Sequence, residues 1–294
     1  MEKVSSSTAY GLLVAAILIW GFNFSLVKWV ITRISPLAFN VLRFSIASGI
    51  ILFILFVKEG WEPMPLSDFL KMVFLGVVGH AVYQVFFIKG LSLTTAGNSS
   101  LLIATAPIWT ALLSASLKKE EVNLRTWTGI VLAFLGVFLV TLGSGDRLAF
   151  GGMKTIGDAL TLAAAIALSA YTVLSRDLLD RYSPLRLTAI TMAIGSVLLW
   201  VYGYDKVFAQ DWGLLPVTGW AVLGYSAFFA VVTGYLLWFT AVKSIGPTRA
   251  AIFNNMTPIV AFTVAFLLLG EPVSWLQIGG GITVIGGISL TVRS

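Results

Sequence analysis

Apolar residues run along this chain in long blocks separated by short polar gaps. The blocks fall at 8–31, 36–57, 68–89, 95–117, 124–142, 155–176, 184–203, 216–242, 248–269 and 273–292. A helix needs about 20 residues to cross the hydrocarbon core of a bilayer. A membrane β-strand would need only about ten, with strict alternation. These blocks are longer and do not alternate. The pattern therefore predicts an all-α integral membrane protein with ten transmembrane helices.

The blocks also repeat. Gly97 to Thr110, with Pro107 inside an apolar run, is answered by Thr248 to Val260 with Pro258. Pro107 and Pro258 are 151 positions apart, and so are Glu120 and Glu271. Earlier in each half the offset is 148, where Arg33 meets Arg181 and Ser35-Pro36-Leu37 meets Ser183-Pro184-Leu185. Proline in a first helical turn lacks only an N–H that would be unpaired anyway, so both Ser-Pro pairs mark helix starts. The expected units are 1–146 and 147–294, each of five spans. An odd number of spans makes the second unit enter from the opposite face. The result is an inverted repeat around a central cavity, the plan of many secondary transporters. The Gly-rich loop 143–154 joins the halves and is expected to be mobile.

Composition agrees with the membrane reading. The 294 residues are 58% hydrophobic and 11% charged, against roughly 25% charged in soluble proteins. Mean hydropathy is +0.94. The net charge of +6 reflects basic loops that set orientation, and no nucleic-acid partner is expected. With the N-terminus inside, the cytoplasmic ends hold twelve Lys and Arg and the outer ends five. That asymmetry predicts N-in and C-in. The first block is too long for a signal-peptide core and is expected to remain as a helix. There is no Cys and one His, so no metal site and no cofactor is expected. No catalytic residues are expected either: no nucleophile-base set or phosphate loop is present. Gly279-Gly280-Gly281 lies in an apolar block, where small residues serve close helix contact.

The residues also resemble a known family. Trp20-Gly-Phe-Asn-Phe-Ser-Leu-Val-Lys-Trp29, Ile34-Ser-Pro and Leu42-Arg-Phe44 are similar to the first two helices of EamA-type transporters, of the drug/metabolite transporter superfamily. Asn98 to Leu142 and 248–292 resemble the ends of its repeats. Lys118-Lys119-Glu120 departs from the more usual Leu269-Gly270-Glu271 form. The resemblance implies two five-helix inverted repeats, a central substrate cavity and export of aromatic or neutral amino acids across the bacterial inner membrane. A monomer in the lipid bilayer with one amino-acid-like cargo is the expected assembly. The superfamily also holds carriers of other cargo, so nucleosides or drugs stay open as alternatives. An intramembrane lipid enzyme is a third reading, lacking the clustered catalytic groups it would need.

Polar groups inside a bilayer are costly and face a cavity or a partner. Asn23 shares a helix face with Trp20, beside Phe24, as cavity wall or interhelical tie. His80, Tyr83 and Gln84, at i, i+3 and i+4, are expected on one face lining the cavity. Arg43 is placed to bind a substrate carboxylate or a helix C-terminus. Tyr171, Tyr235 and Trp238 supply aromatic walls with polar edges. Pro107 and Pro258 each remove a helical hydrogen bond, predicting paired hinges beside Thr105 and beside Asn254 and Asn255. No Asp or Glu lies deep in a block, which predicts transport driven by the substrate gradient.

Overall fold

The computed structural model describes residues 4–94, 96–143, 153–260, 263 and 274–293. The side chains of residues 24, 96–98, 100 and 141 fall outside that description. Most of the expected mobile loop, residues 144–152, also lies outside it, as does Glu271.

The described chain is helical throughout. Helices α1 (Ser6–Ile31), α2 (Pro36–Lys58) and α3 (Leu66–Leu93) are followed by α4 (Ala96–Ile103), α5 (Ala106–Ser116) and α6 (Leu124–Gly143). Then come α7 (Met153–Leu179), α8 (Pro184–Phe208), α9 (Val217–Ile245), the short α10 (Pro247–Ala251) and α11 (Trp275–Val292). Among the described residues, seven helices are long and apolar enough to cross a membrane: α1, α2, α3, α7, α8, α9 and α11. The protein is an all-α, multi-pass membrane protein.

Helix starts are written in the sequence. Ser35 and Ser183 cap α2 and α8, accepting from the backbone N–H of Ala38 at 3.4 Å and Arg186 at 2.9 Å. Ser274 and Gln277 form a reciprocal capping box at α11, which satisfies two otherwise orphaned donors. The prolines break their segments as the missing N–H requires. Between α4 and α5 the regular ladder stops at Ala104 and Thr105, one turn before Pro107. Before Pro258 the chain tightens to a 3₁₀ turn, Ile252–Met256.

Two segments depart from α-helical winding where sequence pattern gave no sign of it. Val77–Val82 of α3 and Ser226–Thr233 of α9 are π turns. Such turns are rare and occur mostly as local bulges inside α-helices.

Helices pack in partnered sets: α2 against α8, α6 against α11, α3 against α7 and α1 against α9. Glycines permit the closest approaches. On α6, Gly129 abuts the Gly287 carbonyl and Thr291, and Gly136 abuts the Gly280 carbonyl and the Val284 N–H. The contact is mutual, because Gly280 and Gly287 meet the backbone of Gly136, Gly129 and Ala133. In lipid there is little hydrophobic drive between helices, so close backbone packing of this kind holds them together. Gly79 of α3 lies flat against the Tyr171 ring, and Gly195 of α8 lies against His80. These two contacts draw α7 and α8 onto the π turn of α3.

Candidate functional site

Among the buried polar side chains, two connected groups stand out between the helices. In the first, His80 Nε2 lies 3.1 Å from the Tyr171 hydroxyl and 3.3 Å from Thr191 Oγ1. The Tyr171 hydroxyl and Thr191 Oγ1 are 2.8 Å apart. The triad joins α3, α7 and α8. His80 and Tyr171 are fully buried, and His80 Nδ1 has no hydrogen-bond partner.

The second group centres on Arg43 of α2. Its Nη2 donates to Asn40 Oδ1 and, at 2.9 Å, to Gln84 Oε1, while Nη1 donates to Ser226 Oγ at 3.3 Å. Gln84 Nε2 in turn donates to the Tyr235 hydroxyl at 3.4 Å. Arg43 thus ties α2 to the third and ninth helices.

Aromatic rings join the two groups. Tyr235 lies 5.0 Å from His80 and 6.4 Å from Tyr171, centroid to centroid. Trp20 packs against Tyr235 at 6.1 Å and Trp238 at 5.4 Å. The Trp20 indole donates to the carbonyl of Ala230, inside the π turn of α9, at 2.8 Å. Trp238 is buried with its own indole N–H unpartnered. Rings spaced and tilted in this way interact favourably edge to face, and they present phenol, imidazole and indole edges together.

Not every expected residue joins this cluster. His80 and Gln84 do, and Tyr83 between them is half-buried, stacks on Phe87 at 5.8 Å and brings its hydroxyl within electrostatic reach of Arg43 and Tyr235. The π turn Val77–Val82, which carries His80, winds more widely than an α-helix. Asn23 is half-buried, and its Oδ1 has no partner. The side chain of Phe24 lies outside the described residues. Asn254 and Asn255 are buried in the 3₁₀ turn before Pro258, and both side-chain polar atoms of Asn255 are unpartnered. No described hydrogen bond connects them to His80 or Arg43. Lys28 turns back to donate to the Leu91 carbonyl at 2.6 Å, near the end of α3.

Three contributors escaped sequence reasoning: Asn40, Thr191 and Ser226. Asn40 was findable, because it sits three positions before Arg43 on one helix face. Thr191 also donates to the Leu187 carbonyl one turn earlier. Such local bonding is routine for membrane Thr and Ser, so neither hydroxyl stands out by residue type.

Most of the described ion pairs collect at one end of the bundle, where α1, α3 and α8 begin and α2, α7 and α9 end, while Lys206–Asp205 lies at the other. Arg181 donates to both Asp68 oxygens at 3.1 Å, and Tyr182 donates to Asp68 at 2.9 Å. Arg186 pairs with Glu62 at 2.9 Å, and Ser183 donates to Glu59 at 2.7 Å. Arg176 donates to the carbonyls of Val242 and Lys243 at the end of α9, where a cation complements the helix dipole. Glu120 accepts from the Thr248 N–H at 3.0 Å, so it caps a helix start. Gly246 beside it, at φ +88°, leaves no room for a side chain. Among the described residues, no group of three His, Cys, Asp or Glu is placed to hold a metal.

The sequence matches the EamA-like transporter family over residues 7–142 and 155–293. The chain belongs to that family. Among its EamA-like relatives, an uncharacterized transporter of Archaeoglobus fulgidus is 31% identical over 93% of this chain and 95% of its own. A probable terminal-alkyne amino-acid exporter of Streptantibioticus cattleyicolor is 26% identical over 98% of this chain and 94% of its own. A solved crystal structure shares the fold with a TM-score of 0.80 at 16% identity, covering 97% of this chain and 96% of that one. This EamA-like protein is therefore a membrane transporter.

Proposed function

We propose that this protein exports amino acids with aromatic or neutral side chains across a bacterial inner membrane, by alternating access between two inverted five-helix repeats. The observation that carries the reading is the buried cluster of Trp20, His80, Gln84, Tyr171, Tyr235 and Trp238. It gathers flat apolar faces and hydrogen-bonding edges on helices that cross the membrane, the combination a small zwitterion with an apolar side chain requires. The amino-acid exporter of Streptantibioticus cattleyicolor, related along nearly its whole length, supports the same cargo class.

Several features support the repeat plan of ten spans, with units 1–146 and 147–294. The two π turns begin at Val77 and Ser226, within one residue of the 148-position offset. Ser35 and Ser183 cap corresponding helices. The contacts α3 with α7 and α1 with α9 are mirror counterparts, the third span of one unit on the first of the other. The ionic end is the one the N-in orientation places in the cytoplasm. The breaks at Pro107 and Pro258 suit hinges for the exchange of states.

Counterflow in proteoliposomes tests the proposal. Preloaded aromatic or branched amino acids are expected to accelerate uptake of a labelled one. Failure of every amino acid, with uptake of a nucleoside or drug, would replace the cargo class. Coupling follows from the site's chemistry, because the described cluster contains no carboxylate to carry a proton. A strictly coupled proton would multiply accumulation by about tenfold per pH unit. Here a one-unit gradient is expected to change accumulation by less than about twofold, and a tenfold response would overturn substrate-gradient drive.

A further inference from the structure

Two arginines are buried among the described residues, Arg43 and Arg186. Their surroundings differ in one respect. Arg186 has carboxylates, with Glu62 at 2.9 Å and Glu59 at 3.8 Å. Arg43 has only neutral partners: the amides of Asn40 and Gln84 and the hydroxyl of Ser226. No ion pair forms at Arg43 among the described residues. A guanidinium stays protonated in any protein environment. Taking that charge out of water costs several kcal/mol unless an anion answers it.

The donors nearby are also unspent. Arg43 Nε and Asn40 Nδ2 are both buried without a hydrogen-bond partner, and they belong to two side chains already bonded to each other. The described hydrogen bonds of Arg43 all go to side-chain atoms and none to a helix C-terminus. What remains is a fixed charge and two free N–H groups, backed by the rings of Phe39 at 5.7 Å and Phe44 at 5.3 Å. A carboxylate can accept from the free Arg43 Nε–H with one oxygen and from the Asn40 amide with the other, the first a charge-assisted bond.

Resting on the exporter reading, we infer that Arg43 and Asn40 form a carboxylate subsite, so that cargo is selected by its acid group as well as its side chain. Through Gln84 the subsite is joined to Tyr235, and so to the aromatic cluster that receives the side chain. The buried charge is answered when cargo binds. The carboxylate is therefore the group whose absence the transporter rejects most strongly, because an amide or amine would leave the guanidinium unpaired.

The test compares phenylalanine, leucine and tryptophan with their amides and their decarboxylated amines in counterflow. The acids are expected to exchange, and both neutralised series to fall by at least about tenfold, the scale of one hydrogen bond to a charged group. Asn40→Asp is the informative variant. It places a carboxylate of the same size on Arg43 Nη2, so the protein is expected to hold or raise its thermal midpoint in detergent. Its amino-acid exchange is expected to fall by at least about tenfold. Arg43→Lys keeps the charge without the planar fork and is expected to weaken exchange while retaining the preference for acids. Equal exchange of acids and amines, or full exchange by folded Asn40→Asp, would overturn the subsite while leaving the exporter reading in place. If no amino acid exchanges in the unmodified protein, the exporter reading fails and the subsite falls with it. Chloride protecting the protein against heat as well as the amino acids do, with acids and amines exchanging alike, would mark Arg43 as a general anion site and also overturn the selection rule.

Discussion

Gly136→Leu abolishes monodisperse protein, or lowers its thermal midpoint more than any other single change named here. A Cβ at position 136 would stand 2.6 Å from the Val284 nitrogen and 2.7 Å from the Gly280 oxygen. Both are backbone atoms and cannot rotate away, so α6 and α11 must separate. Overpacking a close contact costs about 1–3 kcal/mol where side chains can adjust. Here the whole helix pair loses its packing, so the cost is at least the upper figure. Gly279→Leu is the matched control. It sits on α11 beside Gly280, is exposed, and has nothing within 4 Å of its Cβ position. Size-exclusion profiles and thermal melts in mild detergent measure both. Equal behaviour of the two variants would show that the glycine contact does not hold the pair.

Gln84→Leu is expected to reduce transport by about ten- to hundredfold, because one side chain serves two neighbours. Its oxygen accepts from Arg43 at 2.9 Å and its nitrogen donates to Tyr235 at 3.4 Å. A hydrogen bond to a charged group contributes about 1.5–3 kcal/mol, and a buried donor left unpaired adds its desolvation cost. Tyr235→Phe deletes only the longer, neutral bond and leaves the ring in place. Its effect is expected to stay within about fivefold, on the scale of one neutral hydrogen bond. Initial rates of counterflow, normalised to folded protein, rank the two. A Tyr235→Phe defect as deep as that of Gln84→Leu would mean that the Arg43 contact carries no special weight.

Much of the architecture was legible because membranes impose a simple rule. Backbone polar groups must be satisfied within each span, so long apolar blocks have to be helices. The Ser-Pro starts were legible for a local reason, since capping chemistry is settled within four residues. The paired breaks at Pro107 and Pro258 followed from a missing N–H. Local winding was not legible. A π turn alters which side chains share a face without altering composition, so nothing in the residue types of Val77–Val82 or Ser226–Thr233 announced it. The buried polar cluster was legible where residue types are rare in lipid, as with Arg43, His80 and Gln84. It was not legible at Thr191 and Ser226, whose hydroxyls ordinarily bond their own helix. Asn40 was overlooked although its spacing to Arg43 was in plain view.

The π turns bear on how such a buried helix face changes over evolutionary time. Each holds, in effect, a one-residue insertion absorbed inside a helix. Removing that residue would leave both flanking loops intact, yet turn one part of the helix relative to the other by about 100° and shorten it by about 1.5 Å. In α3 the change would re-aim Gln84 relative to Leu75; in α9 it would re-aim Tyr235 relative to Leu223. A single-column gap inside an otherwise continuous apolar span is therefore not alignment noise in this fold. It marks a buried helix face that has been dealt a different set of side chains, with no substitution needed at any of them.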